Sequence, residues 1–155
     1  MIFVTIGTHE LPFTRLLSYL EQIDIKEEVI IQSGNTKFNS KKYKTIDFMD
    51  KDEFDEYMNR ADLVICHSGV GTILATMNRN KKVIVMPRLK EYKEHNDDHQ
   101  KEICDKFSKL NYIIKCETKD ELKVAIDDYK NIKLNEYVNE NKRLIDYLEN
   151  YILSI

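Results

Sequence analysis

The sequence lacks an apolar run long enough to cross a lipid bilayer. A membrane-spanning helix needs about 20 consecutive apolar residues, and no run in this chain of 155 residues approaches that length. The chain opens on Ile2–Ile6, which has the composition of a strand and lacks the basic start of a targeting leader. We therefore expect a cytoplasmic protein.

Cysteine is also scarce. The chain has Cys66, Cys104 and Cys116, an odd number without the short paired spacing of zinc ligands. Reduced, partly buried thiols fit this pattern better than a disulfide or a zinc site. No metal is expected elsewhere, because the histidines and aspartates of His95–His99 are neighbours that would point to different sides of a helix.

Charge of neither sign dominates the chain. Lys and Arg number 24 against 27 Asp and Glu, which gives a formal net charge of −3. The lysines are scattered through most segments and do not form the basic stripe that marks a nucleic-acid-binding surface. Nucleic acid is therefore not an expected partner.

Internal repeats, low-complexity tracts and a convincing linker are absent from the sequence as well. The length of the chain and its apolar fraction of 42% suit one globular domain with a sizeable core. We therefore predict a single domain over residues 1–155.

What the sequence does have is an alternation of strand-like and helix-like segments. Short apolar runs predict strands at Ile2–Ile6, Val29–Gln32, Lys44–Phe48, Leu63–Cys66, Val83–Met86 and Tyr112–Ile114. Apolar residues at helical spacing predict helices at Leu11–Ile23, Asp52–Asn59, after Gly71, at His95–Leu110 and at Asp120–Tyr129. Strands that alternate with helices form right-handed crossovers. The predicted fold class is therefore α/β, with a Rossmann-like, doubly wound parallel sheet.

The last segment is predicted to be one amphipathic helix over residues 134–153. Its apolar side chains recur at three- and four-residue intervals, namely Leu134, Tyr137, Val138, Leu144, Ile145, Leu148 and Ile152. The tyrosines of this segment suit an interface with another protein. Packing of the helix on the chain's own sheet is an equally good interpretation.

The most informative stretch joins the apolar run Val64–Cys66 to a helix-like pattern through a turn of small residues. Gly69 and Gly71 let backbone N–H groups approach a ligand closely, and the following helix directs its positive end to the same point. Ser68 and Thr72 add hydroxyl groups. A diphosphate fits this turn; the alternative is that the two glycines only permit a tight connection.

Two further pairs of small residues follow predicted strands. Gly7 and Thr8 come after the first strand, and Ser33 and Gly34 come after the second. Parallel sheets bind ligands outside the carboxyl ends of their strands, near the point where the strand order reverses. We therefore expect both loops to converge with the turn at His67–Thr72, where His67 has the alternative of being an ordinary loop histidine.

Five motifs occur in order within the first 107 residues. They are Phe3–Thr8 with Pro12-Phe13, Gln32–Gly34, His67–Leu74, Val83–Arg88 and Glu94–Glu102. Together they resemble the nucleotide-sugar-binding, C-terminal half of GT-B glycosyltransferases, in the family of the peptidoglycan enzyme MurG. Within that family the chain is most similar to the soluble subunits of split transferases, both eukaryotic dolichol-diphosphate enzymes and bacterial capsule and exopolysaccharide enzymes.

The resemblance implies that the chain binds a UDP-sugar donor and needs no cofactor. In such families the turn at His67–Thr72 holds the diphosphate, and the segment at His99-Gln100 reaches the transferred sugar. The substrate-binding residues that it implies are Gly7, Thr8, Gln32, Ser33, Gly34, His67, Ser68, Gly69, Val70, Gly71, Thr72, Asp98, His99 and Gln100.

His9 is the predicted catalytic residue. The loop Gly7–His9 resembles the flexible loop that faces the acceptor and the leaving phosphates. Inverting sugar transfer needs a base for the acceptor hydroxyl, and a histidine with a near-neutral pKa suits that role. The base would alternatively belong to a partner subunit.

One position departs from the family pattern. Relatives often carry an acidic residue on the helix after the phosphate turn, where it binds both ribose hydroxyls, and the matching residue here is Ala75. The ribose must then be held differently or less tightly.

The resemblance also implies partners. A GT-B enzyme works in a cleft between two domains, and this chain has the length of one. The expected partner is a membrane-associated subunit that binds a lipid-linked acceptor and recruits this chain to the inner face of the membrane. For the reaction, the resemblance favours β-1,4 transfer of galactose in capsule or exopolysaccharide synthesis, with N-acetylglucosamine as the other possible sugar.

Two other functions are weighed against this one. A non-catalytic accessory subunit would stimulate a separate transferase through protein contacts, and Ala75 favours it modestly. A dinucleotide enzyme is discounted, because the first loop lacks the Gly-x-Gly-x-x-Gly spacing and no acidic residue ends the second strand.

Overall fold

Parallel strands form one sheet in the computed structural model of the chain, which describes residues 1–138, 146–147 and 150. The strands are β1 (Ile2–Thr5), β2 (Val29–Gln32), β3 (Lys44–Ile46), β4 (Leu63–His67), β5 (Lys82–Met86) and β6 (Ile114–Lys115). They lie in the order β3-β2-β1-β4-β5-β6, and every neighbouring pair is parallel. This is the strand order of a doubly wound Rossmann sheet.

Helices cover both faces of the sheet. They are α1 (Thr14–Gln22), α2 (Lys51–Arg60), α3 (Val70–Met77), α4 (His99–Lys109) and α5 (Lys119–Asp128), with a 3₁₀ turn at Lys90–Tyr92. One buried cluster joins the sheet to α1 and α5, and a second joins it to α2, α3 and α4. Because side chains alternate along a strand, Val4 of β1 belongs to the first cluster and Phe3 to the second.

Several predicted boundaries differ from the structure; α1, for example, begins at Thr14 and not at Leu11. Two of the differences have a clear local cause. Helix α4 begins at His99 and not at His95, because the Asp97 carboxylate accepts the His99 backbone N–H and forms a turn there (3.0 Å). The last strand begins at Ile114, because Asn111 adopts a left-handed conformation (φ 55°) and the Tyr112 N–H still bonds to the end of α4.

The predicted C-terminal helix over 134–153 falls mostly outside the described residues. Residues 132–138 have no regular secondary structure, and Asn135 ties this stretch to the end of α4 through the carbonyl of Leu110 (2.8 Å). Asp146, Tyr147 and Asn150 are helical. Residues 134–138 are therefore not part of a helix, and the rest of the predicted helix stays a prediction.

The cysteines are buried and free, as expected. Burial raises the pKa of each thiol, to about 12 for Cys116, so that all three stay protonated at neutral pH.

No helix in the described part of the chain combines the length and the apolar character needed to cross a bilayer.

Candidate functional site

The loops after β1, β2 and β4 meet at the carboxyl edge of the sheet. β1 and β4 are the central neighbours from which the chain winds in opposite directions, so a crevice opens between their ends. Gly34 lies so close to Gly7 that a Cβ at Gly34 would collide with the Gly7 carbonyl oxygen. Both glycines have a positive φ, 75° at Gly7 and 55° at Gly34, which side chains disfavour. The predicted convergence of the three loops is therefore observed.

The imidazole of His67 fills the space between two of these loops. A Cβ on Gly7 would lie 2.7 Å from His67 Cε1, and a Cβ on Gly69 would collide with His67 Nε2. Glycine is thus required at both positions by packing against one ring. The fold therefore needs glycine at position 69 whether or not a ligand binds.

His67 is uncharged at neutral pH. Burial first, and then the Arg88 guanidinium, lower its pKa to about 4, although a backbone contact with Thr5 opposes the shift. The ring therefore supports the turn as a neutral group.

The first turn of α3 presents open backbone donors to the same edge. The helix is preceded by Gly69, which provides no side-chain cap, and its first backbone bond runs from the Ile73 N–H to the Gly69 carbonyl (3.0 Å). Within the described residues no acceptor takes the N–H groups of Val70, Gly71 or Thr72. Uncapped N–H groups at a helix start bind anions, because the helix dipole adds partial positive charge.

Gly71 differs from the other glycines. It is exposed, its φ is not in the left-handed region, and a Cβ there would meet no atom within 4 Å. The fold itself therefore does not require glycine at this position. A ligand that approaches the backbone of the turn does give a reason for it.

Gln100 joins the start of α4 to the ends of two strands. Its Oε1 accepts the backbone N–H of Ser68 at 3.2 Å and that of Arg88 at 3.1 Å. The oxygen is therefore used within the protein, and Nε2 is the end of the amide that remains to donate. The hydroxyl of Ser68 is buried and has no hydrogen-bond partner among the described residues.

Arg88 is a buried cation beneath the β1–α1 loop. Its Nη1 donates to the carbonyl of Leu11 at 2.7 Å, and its Nη2 donates to that of Ile6 at 2.8 Å. Burial lowers its pKa to about 10, so the group stays charged at pH 7. Glu94 opposes this shift, but the Glu94 carboxylate already pairs with Arg15 (Nε to Oε1, 2.8 Å). The loop thus lies over positive charge that a bound anion would balance.

Three of the four histidines, His9, His95 and His99, form one rim beside the site. His9 stacks on His95 with ring centroids 4.6 Å apart. The Asp97 carboxylate lies 3.1 Å from Nδ1 of His95 and 3.0 Å from Nδ1 of His99. Burial, followed by His95 and Arg88, lowers the pKa of His9.

The remaining predicted site residues lie in or beside these loops. Gln32 is buried and its Oε1 accepts the Thr5 hydroxyl (2.7 Å), while buried Ser33 donates to Asp47 (3.1 Å). Thr8 is exposed. Asp98 is exposed too, and its carboxylate accepts the Lys90 N–H on the far side of the 3₁₀ turn (3.0 Å).

Sequence reasoning missed the ion pair between Arg15 and Glu94. The run Glu91–Glu102 had the alternative of being a solvated face, yet Glu94 is only 3% exposed. Its partner Arg15 is 79 residues away, so no local pattern could reveal the pair. For metals, the described residues contain no group of three or more His, Cys, Asp or Glu side chains arranged to hold an ion.

The sheet order, the open helix start and the converging loops are those of a Rossmann-like domain with a candidate anion site at its carboxyl edge. The chain belongs to the family of the glycosyltransferase family 28 C-terminal domain, whose profile matches residues 1–149. The predicted family and the predicted Rossmann-like sheet, equivalent to the C-terminal half of a GT-B enzyme, are confirmed.

Individual proteins of known name are also similar to this chain. The UDP-N-acetylglucosamine transferase subunit ALG13 of Candida albicans is 31% identical over 113 residues, which are 73% of this chain and 37% of that protein. The protein of the same name from Saccharomyces cerevisiae is 41% identical over 56 residues, 36% of this chain and 26% of that one. The match with this chain therefore spans only about a third or less of these relatives' length.

Solved structures agree on the fold. The solution structure of ALG13 superposes with a TM-score of 0.60 at 24% identity, over 95% of this chain and 93% of that one. MurG of Acinetobacter baumannii superposes with a TM-score of 0.56 at 17% identity, over 82% of this chain and 40% of that one.

Proposed function

We propose that this chain is the catalytic, donor-binding subunit of an inverting glycosyltransferase that uses a UDP-sugar. The observation that carries the proposal is the uncapped first turn of α3, with open N–H groups at Val70–Thr72 in a family 28 C-terminal domain. These groups bind the diphosphate. The positive charge of Arg88 under the neighbouring loop favours the same anion.

The reaction is a direct displacement at the anomeric carbon. The acceptor hydroxyl oxygen bonds to that carbon while the bond from the carbon to the diphosphate oxygen breaks. The N–H groups of the α3 turn stabilise the negative charge that develops on the leaving diphosphate. A helix end and a buried guanidinium supply this charge stabilisation without a metal. The acceptor proton goes to a histidine of the rim, for which His9 is the candidate from the sequence.

The identity of the transferred sugar is the more specific part of the proposal. The resemblance to capsule and exopolysaccharide subunits favours galactose, transferred in β-1,4 linkage to a lipid diphosphate-linked saccharide. The relatives carry UDP-N-acetylglucosamine in their name, which makes N-acetylglucosamine the second candidate. Ala75 leaves the ribose without the acidic partner that is common in relatives.

A partner subunit completes the site in this proposal. The described residues form one side of a GT-B cleft in this proposal, which is supported by their having the fold of the C-terminal half. The partner supplies the acceptor side and brings this chain to the membrane that holds the lipid-linked acceptor.

Titration with UDP tests the donor site in the isolated chain. We expect binding with a dissociation constant in the millimolar range or tighter, which Gly71→Leu weakens at least about tenfold because its side chain crowds the diphosphate (about 1.4 kcal/mol). Gly71→Ala is the matched control, since a Cβ there meets no protein atom, and it should weaken binding less. Calorimetry measures both. Equal affinities of the wild type and the leucine variant would contradict the assigned site.

Reconstitution tests the reaction. The chain and a membrane-associated candidate partner subunit should together transfer sugar to a glucosyl-lipid diphosphate from one member of a panel of UDP-sugars, and either protein alone should not. Transfer from UDP-galactose supports the first sugar, and transfer from UDP-N-acetylglucosamine supports the second. A reconstituted pair that transfers nothing across the panel would reject the enzymatic proposal.

A non-catalytic accessory subunit is the alternative, which the position of Ala75 favours. It predicts no UDP binding and unchanged stimulation of the partner by Gly71→Leu. The same two experiments therefore separate the two functions.

A further inference from the structure

We propose that Arg88 is a positioning residue, which holds both ends of the loop of residues 7–10 and fixes its position relative to the first turn of α3. This inference rests on the proposed glycosyltransferase function, in which the loop carries the candidate base His9 and the turn binds the diphosphate. It comes from the partners of one buried guanidinium, whose hydrogen bonds all go to backbone carbonyls.

The Arg88 side chain does not itself reach a ligand. An arginine that follows a strand at this edge of a sheet is well suited to bind a phosphate directly, but Arg88 is only 1% exposed. Three of its N–H groups donate to backbone carbonyls, and its Nε is buried without a hydrogen-bond partner among the described residues. Arg88 therefore acts on the site through the segments that it holds.

Two of these bonds hold the loop after β1 at both of its ends. Arg88 Nη2 donates to the carbonyl of Ile6 at 2.8 Å, and Nη1 donates to that of Leu11 at 2.7 Å. Ile6 and Leu11 flank residues 7–10, so one planar guanidinium spans the base of the loop. A lysine ammonium is a compact point charge without this planar fork. The position of the loop therefore depends on the shape of the group and not only on its charge.

A third bond of the guanidinium fixes the segment that faces this loop. Nη1 also donates to the carbonyl of Glu94 at 3.1 Å. Glu94 precedes His95, and the His95 ring stacks on His9 with centroids 4.6 Å apart. Arg88 therefore holds the backbone beside both members of this stack.

The main chain of Arg88 is joined to the first turn of α3. Its N–H donates to Gln100 Oε1 at 3.1 Å, and the same oxygen accepts the Ser68 N–H at 3.2 Å. Ser68 precedes Gly69, the residue before the first turn of α3. A continuous path thus runs from this turn through Gln100 and Arg88 to both ends of the loop. In the proposed reaction this path sets the distance between the leaving diphosphate and the groups that face the acceptor.

The charge of Arg88 and its shape have separable effects. The Glu94 carboxylate already pairs with Arg15 (2.8 Å), so the positive charge of Arg88 is left for a bound anion to balance. Lysine keeps that charge but does not hold both ends of the loop. A displacement of about 1 Å at a reacting group lowers a rate by as much as about 100-fold. Replacing Arg88 by lysine should therefore change the rate of transfer more than the affinity for UDP.

Hydrogen exchange of the isolated chain tests the anchoring without a substrate or a partner. In Arg88→Lys, peptides that cover residues 6–13 should exchange faster by about tenfold or more, while peptides that cover α3 and α5 keep the wild-type rate. Unchanged exchange over residues 6–13 would show that Arg88 does not hold the loop. Faster exchange over the whole chain would show that it only stabilises the fold. Either result would overturn the proposal.

Kinetics of the reconstituted pair test the positioning role. Arg88→Lys should lower kcat by about tenfold or more, while the KM for the UDP-sugar and the affinity of the isolated chain for UDP change less than about threefold. Arg88→Met removes the charge as well and should also weaken UDP binding. An Arg88→Lys pair with the kcat of the wild type would contradict the role, even with faster exchange in the loop.

Arg79→Lys is the matched control. Arg79 follows the C-terminal end of α3, away from its first turn, and pairs with Asp55 at 2.7 Å. This variant makes the same chemical change and should leave kcat within about twofold of the wild type and the exchange of residues 6–13 unchanged.

The readouts separate this proposal from the proposed function. Absence of UDP binding by the wild-type chain, or of transfer by the wild-type pair, counts against the glycosyltransferase. Hydrogen exchange alone decides whether Arg88 holds the loop, because it needs neither substrate nor partner.

Discussion

At the scale of single residues, Gly69 and Gly71 of the same turn are glycine for different physical reasons. Gly69 is packed against the His67 imidazole, and Gly71 faces open space. Only Gly71 has room for a side chain beside the protein's own atoms. Comparing the two positions therefore separates what the fold needs from what a ligand needs.

Alanine substitutions at these glycines should change stability in opposite directions. Gly69→Ala should lower the free energy of unfolding by about 1–3 kcal/mol, because its Cβ displaces the His67 ring. Gly71→Ala should raise it by up to about 1 kcal/mol, because alanine loses less conformational entropy in a helix. Urea denaturation measures both. A destabilised Gly71→Ala would show that the fold does need glycine there.

The neutral state of His67 should make stability depend on pH. Its pKa is about 4 in the folded chain against about 6.5 in the unfolded chain, so the unfolded chain binds more protons between these values. Stability is therefore complete above pH 6.5 and is lost as the pH falls towards 4. Between pH 7 and pH 5 this one group should cost about 2 kcal/mol. Denaturation at both values, with His67→Gln lacking that part of the loss, measures it; an equal loss in the variant would contradict the assignment.

At the scale of elements, helix starts differ in how their N–H groups are satisfied. Asp50 caps α2 by accepting the Glu53 N–H (2.8 Å), and Thr118 caps α5 by accepting the Glu121 N–H (3.1 Å). Helix α3 has no such side chain. Helices α1 and α4 also lack a side-chain cap. The start of α3 is distinguished by exposed Gly71, which leaves the backbone of its first turn open to the proposed diphosphate.

The cap of α5 should contribute measurably to stability. Thr118→Ala removes the acceptor of the Glu121 N–H and should lower the free energy of unfolding by about 1 kcal/mol. Thr118→Ser keeps a hydroxyl at the same place and should cost much less. Urea denaturation of the pair tests this; equal losses would indicate that the methyl group, and not the hydrogen bond, stabilises the helix start.

At the scale of the whole molecule, one buried ion pair joins segments far apart in the chain. Arg15 of α1 binds both carboxylate oxygens of Glu94, at 2.8 and 3.0 Å, and also the carbonyls of Pro87 and Glu117. Glu94 in turn accepts the Leu89 N–H (3.0 Å). The pair thus ties α1 to the loops before α4 and α5, and it fixes the loop from which Arg88 extends.

Breaking this pair should be costly from either side. Arg15→Met and Glu94→Gln should each lower the free energy of unfolding by about 3–5 kcal/mol, because each leaves the other charge buried and unpaired. The double variant should cost clearly less than the sum of the two, since no unpaired charge remains. Denaturation of all four proteins gives the coupling energy. Additive losses would show that the two charges do not stabilise each other.

The sequence by itself determined the fold class and which loops form the candidate site. Apolar runs such as Val83–Met86 suit parallel strands covered on both faces, and the small residues after β4 mark the strand end at which the candidate site lies. These signals are local, since they depend on the spacing of neighbours along the chain. They are also the reason that the start of α4 was placed too early, because the turn made by Asp97 has no such periodic signal.

Only the tertiary structure decided which distant side chains act together. The crossovers bring His9 onto His95 and Arg15 onto Glu94, and no spacing in the chain records either contact. Contacts across the sheet therefore determine which side chains of the rim lie together. The order of residues along the chain determines where the rim is.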